Sequence, residues 1–179
     1  MFHPDTQFLI DHWASLARRA DARGGLPPRT AFQPEALGAR LSRAFMAERR
    51  GDDAVLRLAG EWIENFHGEA LKGRSLLSLW RTAARPLVGS SLAQSVREGR
   101  PVVIAAAAGS ASAPIEVALL PLRGSDGRAG PVLGLYAPAA TLSLPANECR
   151  RLAARAAIGV GEAARPPLSL AAVHGRRLA

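Results

Sequence analysis

The residues able to do chemistry are few and scattered. Four histidines stand at positions 3, 12, 67 and 174, and no two are spaced three or four apart. No helix face therefore offers two imidazoles to one metal ion. The single cysteine, Cys149, excludes an internal disulfide and a cysteine-built zinc site. It lies on the apolar side of an Ala-rich stretch, where a thiol acts as a small hydrophobe rather than a nucleophile. Gly89-Ser90-Ser91 has no base that can be placed beside it. Neither the Gly-x-Ser-x-Gly elbow nor the Gly-x-x-x-x-Gly-Lys-[Ser/Thr] phosphate loop occurs. The carboxylates form no pair at catalytic spacing. Binding is thus favoured over catalysis, and no enzyme, metal or cofactor is expected.

The charge needs a careful reading. Lys and Arg number 23 against 15 Asp and Glu, a net +8, but 22 of the 23 are Arg and only Lys72 is Lys. Abundant Arg and Ala with almost no Lys is the mark of GC-rich codons, so the charge speaks less of nucleic acid than its size implies. Residues 147–179 hold six arginines (150, 151, 155, 165, 176, 177) against Glu148 and Glu162. A nucleic-acid binder using this segment is the alternative function, because arginines neutralise phosphates without reading sequence. Against it stand an aromatic content of 5% and the lack of a reading motif. The same segment has too Ala-rich a face for a membrane surface. No run approaches the roughly 20 apolar residues that cross a bilayer. Met1 to Asp5 lacks a basic then apolar leader, so a cytoplasmic setting is expected.

The positioning elements follow from the apolar periods. Leu9, Trp13, Leu16 and Ala20 form one face of a helix over residues 5–23, stopped by Gly24-Gly25 and Pro27-Pro28. Such a helix is marginal alone and needs a partner, either the main domain or a second copy of the chain. Pro34 opens a short helix, residues 35–41. Two strands, 44–48 and 54–59, flank a hairpin turn, with Leu56 and Leu58 on one face. Short helical stretches follow, with Ser75 placed to cap one, then a helix of about 87–97 ending at Gly99. Strands begin at Val102, at Ile115 and at Val132, and short links imply an antiparallel meander. Residues 146–160 read as a helix, with Cys149, Leu152, Ala153, Ala156 and Val160 at 3–4 spacing, and the last dozen residues read as unstructured. The order predicts an α+β fold with a five-stranded antiparallel sheet, helices on one face, and the N-terminal amphipathic helix as a cover for the other. Residues 1–30 form a helical extension, 31–140 the domain, and 141–179 a basic tail, partly helical or disordered.

The stretch Arg57 to Arg74 resembles the front of a PAS domain. More narrowly, the chain is similar to a PAS-like family of small proteins common in alphaproteobacteria. The matching pieces are Arg57-Leu58-Ala59-Gly60, Phe66-His67-Gly68, Leu71-Lys72-Gly73-Arg74 and Leu79-Trp80. Later pieces are Glu116, Leu120-Pro121-Leu122 and Gly134-Leu135, with Pro28-Arg29 early. The resemblance covers residues 5–138. It implies a stand-alone sensory or regulatory module that binds a small ligand, a signalling protein or both, with its output in another protein. It implies an apolar pocket lined by Leu56, Leu58, Phe66, Leu76, Leu79, Trp80, Val96, Leu120 and Leu135, the side chains any core of this fold would also bury. Asn65, Arg74 and Glu116 are its nearest polar residues. Haem held by a histidine occurs in some such domains, but His67 falls in the Phe-x-Gly loop, where a polar loop role is expected. Cys149 lies beyond the domain and matches no flavin-linked cysteine. A homodimer through Leu9, Trp13 and Leu16 is expected.

Overall fold

The structure is a computed structural model. It describes residues 1–20, 25–109, 113–139 and 150–163, with the backbone of 172–173 and 176–177. Cys149, residues 21–23 of the expected first helix and residues 146–149 of the expected last one lie outside the described residues.

Helix α1 spans Pro4–Ala20, with Asp5 in its first turn and Arg18 and Arg19 in its last, each complementing the macrodipole. Asp5 is also held by Arg40 at 2.6 Å and Arg43 at 2.8 Å, which ties α1 to the segment that enters the sheet. That segment, Pro34–Arg43, is not the expected helix but 3₁₀ turns interrupted at Gly38. Gly38 sits at φ 52°, ψ −130°, a conformation that costs a side-chain-bearing residue dearly.

Strands β1 (Ala44–Arg50) and β2 (Asp53–Ala59) form the expected hairpin. Helix α2 (Glu61–His67) follows and stops at Gly68 in the left-handed region. Gly60, between β2 and α2, leaves no room for a Cβ, which would lie 2.2 Å from the Ser42 carbonyl oxygen. A 3₁₀ turn at Leu76–Leu79 is capped as expected, with the Ser75 side chain accepting from the Ser78 N–H at 3.2 Å. Helix α3 (Arg85–Glu98) begins with Pro86 in its first turn and ends at Gly99. Strands β3 (Val102–Ala108), β4 (Ala113–Arg123) and β5 (Ala129–Pro138) make the expected meander.

The chain then departs from expectation. Residues Ala153–Gly159 are not helix but a strand, β6, paired antiparallel with β3. The main sheet thus has six strands rather than five, in the order β2-β1-β5-β4-β3-β6. Alanine favours helix intrinsically, but β3 presents an edge of unpaired backbone groups, and pairing with it outweighs a small propensity. Two short strands, β7 (Ala172–Val173) and β8 (Arg176–Arg177), pair where an unstructured end was expected.

Each sheet face carries its own core. On one face α2, the turns around Leu76 and α3 cover Leu56, Ile104, Val117 and Tyr136. On the other, α1 lays Leu9, Ile10 and Trp13 over Val103, Leu120, Leu133 and Leu135. The Trp13 indole donates to the Pro121 carbonyl at 2.8 Å, which fixes the helix along β4. A bulge in the hairpin overturns one expected face. Met46 pairs with Leu58 and Ala47 with Leu56, so Arg57 is an extra residue on β2. Leu56 is buried on the α2 side, whereas Leu58 emerges on the α1 side of the sheet and is 60% exposed.

Candidate functional site

The face covered by α2 and α3 gathers Phe45, Trp62, Phe66, Trp80 and Tyr136, with His67 beside them. Trp62 and Phe66 lie one turn apart on α2 and stack with ring centroids 5.3 Å apart. Tyr136 comes from β5 and is wholly buried, edge-on to Phe45 at 6.0 Å and to Phe66 at 6.2 Å. His67 ends α2 and places its ring against both Phe66 and Tyr136. Its Nδ1 is 2.7 Å from the Arg150 carbonyl oxygen, which can only accept. Nδ1 therefore carries the proton, and Nε2 accepts from the Tyr136 hydroxyl at 3.2 Å. Burial pushes the His67 pKa down to about 4, although its bond to the Arg150 carbonyl works the other way. The imidazole is neutral at physiological pH. Burial likewise drives the Tyr136 phenol upward, so it stays a donor.

Trp80 contributes a different feature. It is 1% exposed, and its indole Nε1 finds no acceptor among the described residues. A buried donor left unpaired costs about 1–3 kcal/mol, so this N–H is an open valence in the core.

The segment leading into β6 closes this face. Arg150 donates to the Phe66 carbonyl at 3.1 Å and also to that of Asn65, while Arg151 pairs with Glu69 at 3.1 Å. Leu152 is fully buried in the core and exchanges backbone hydrogen bonds with Leu79 and Arg81. Within the segment expected as an arginine-bearing helix, Ala153–Gly159 is strand, and Arg150 and Arg151 just before it are engaged with α2 and the loop after it.

The residues expected to line one pocket divide between the two faces. Leu56, Phe66, Leu76, Leu79, Trp80 and Val96 share the core beneath α2 and α3. Leu120 and Leu135 belong to the core beneath α1. Leu58 lies on that outer side, in an apolar groove of about 200 Å³ lined also by Leu41, Met46, Phe32 and Leu133. Asn65 is exposed, and Arg74 pairs at the surface with Glu69. Glu116 receives the backbone N–H of His3, at 3.0 Å and 3.1 Å to its two oxygens, and so pins the chain start. Leu9 and Trp13 point into their own sheet, with Leu16 packed beside them. Tyr136, Trp62 and the inward role of His67 were not foreseen. Their only sequence signal was the i, i+4 aromatic pair on α2. Among the described residues, no group of three His, Cys, Asp or Glu side chains is placed to hold a metal.

The fold is an antiparallel sheet with short helices over one face and α1 over the other. The family model of the PAS domain matches residues 1–137. The chain belongs to the PAS domain family, and a general sensory and signalling role comes with that membership. No curated protein matches it significantly. No helix among the described residues is long and apolar enough to cross a membrane.

Proposed function

We propose that this chain is a regulatory PAS module that binds a small, mostly apolar molecule beneath α2 and α3 and passes the event on by protein contact. The unpaired Trp80 indole N–H carries this reading. A ligand with one hydrogen-bond acceptor and an apolar body would satisfy that donor among Leu56, Phe66, Leu76, Leu79 and Val96. The His67–Tyr136 pair lies on the same face, with both ring nitrogens and the phenol proton already bonded. Leu120 and Leu135 support the sheet from behind rather than touch the ligand.

Contact with other proteins has its own support. Leu41 and Leu58 are 47% and 60% exposed and lie in one apolar groove. Such a patch suits a second copy of the chain or a signalling partner in the cytoplasm. A homodimer would use this groove, since Leu9 and Trp13 are taken up by the chain's own core.

Native mass spectrometry and an absorption spectrum of the purified chain test the ligand reading. The expected result is a bound mass that denaturation releases and that Trp80→Phe diminishes. A chain that carries no added mass, and gains none when screened against acceptor-bearing apolar compounds, contradicts it.

A further inference from the structure

Among the described residues, seven arginines stand in ion pairs. Arg40 and Arg43 hold Asp5, Arg57 holds Glu48, Arg74 and Arg151 hold Glu69, and Arg97 and Arg100 hold Glu98. Arg18, Arg19, Arg29, Arg50, Arg123 and Arg128 have no side-chain partner among the described residues, and of these Arg29 and Arg123 line one cleft. This cleft lies at the turn end of the sheet, beyond the Leu58 groove along β1 and β5 and sharing no lining residue with it. Its volume is about 750 Å³, within the range of small-molecule sites.

The cleft is assembled by backbone bonds rather than by chance approach. Leu26 and Pro27 are buried, and the Arg123 N–H donates to the Pro27 carbonyl at 2.9 Å. Pro28 bridges to Arg123 in parallel fashion, so Arg29 emerges one residue beyond a fixed point on β4. Arg49 from β1 supplies a third guanidinium and spends its Nε on the Gly51 carbonyl, leaving its other donors available. Thr30 and Ser125 add hydroxyls, and Pro28 and Pro131 add apolar wall. Two carboxylates also line the cleft. Glu48 is paired with Arg57, and Asp126 accepts from the Arg128 backbone N–H at 3.0 Å within its own turn.

We infer that this cleft, formed by Arg29, Arg49 and Arg123, is a binding site for a small polyanion bearing phosphate or carboxylate groups. Guanidiniums match such groups with paired N–H donors, and three from separate elements line this cleft against two carboxylates, of which Glu48 is paired with Arg57. The site also gives a purpose to the Pro28-Arg29 dipeptide, which neither core explains. It does not rest on the Trp80 reading.

Calorimetric titration of the full chain with pyrophosphate and, separately, with citrate tests the site. Saturable one-to-one binding of either is expected, and which one binds tells a phosphate ligand from a carboxylate one. Arg29→Ala and Arg123→Ala should each weaken it about tenfold, the loss of a charge-assisted contact. Arg18→Ala and Arg19→Ala remove the same charge from the exposed end of α1 and should change it less than about twofold. Equal weakening by all four variants would reduce the effect to net charge and overturn the site. So would the lack of saturable binding of either anion, or retention of an oligonucleotide by a chain that binds neither.

Discussion

His67 shows how one residue's setting becomes a measurable property. Its imidazole donates to the Arg150 carbonyl and accepts from Tyr136, an arrangement that suits only the neutral ring. The groups that face it are Arg150, Arg151 and Glu69, and burial dominates, lowering its pKa from 6.5 to about 4. Below pH 6.5 the unfolded chain takes up a proton that the folded chain refuses until near pH 4. Stability from this group is thus complete above pH 6.5 and is lost as the pH falls through that window. The expected loss between pH 7 and pH 5 is about 1–2 kcal/mol, read from urea unfolding midpoints. His67→Phe should lower stability at pH 7 yet flatten this slope. An unchanged slope would place the responsible proton elsewhere. Little of this was visible beforehand, because the Phe-x-Gly setting marks His67 as a loop residue. Only the fold shows that α2 ends facing Tyr136, which lies 69 positions further along the chain.

The elements repeat that lesson with different physics. The β1–β2 hairpin, α3 between Pro86 and Gly99, and the β3–β5 meander were legible because turn residues and apolar period agreed. β6 was not, because Ala-rich residues at 3–4 spacing describe a helix when read alone. Its strand state is imposed by the open edge of β3 and by the hole that Leu152 fills. Leu58 was misplaced for a smaller reason: alternation assigns faces correctly only until a bulge adds a residue, and Arg57 is that residue. If Leu152 anchors β6, then Leu152→Ala should cost about 2–5 kcal/mol. It should also speed hydrogen exchange across Val102–Ala108, the strand that β6 protects. Loss of stability with β3 protection intact would mean that β6 holds without its anchor.

At the scale of the whole molecule, a six-stranded sheet is sealed on one face by α1 and on the other by α2 and α3. Among the openings left in the described residues are the Leu41–Leu58 groove and the arginine cleft. Light scattering across a concentration series should show a dimer, and Leu58→Glu should shift it to monomer without altering the far-ultraviolet spectrum. A wild-type chain that stays monomeric at high concentration rejects the dimer and leaves the groove to another protein. The family match and the α+β architecture were legible from the ordered motifs around Arg57 to Trp80. The division of the candidate site between two faces was not, since strand alternation shows that two faces exist but not which helix covers each.

Ligand binding in the interior beneath α2 and α3 is read directly from the indole N–H signals of the three tryptophans. Labelled with nitrogen-15 and compared between ligand-stripped and ligand-loaded chain, the Trp80 signal should move downfield as its proton gains an acceptor. The Trp13 signal, already bonded to the Pro121 carbonyl, should stay in place. A loaded chain whose Trp80 signal is unmoved would contradict the account.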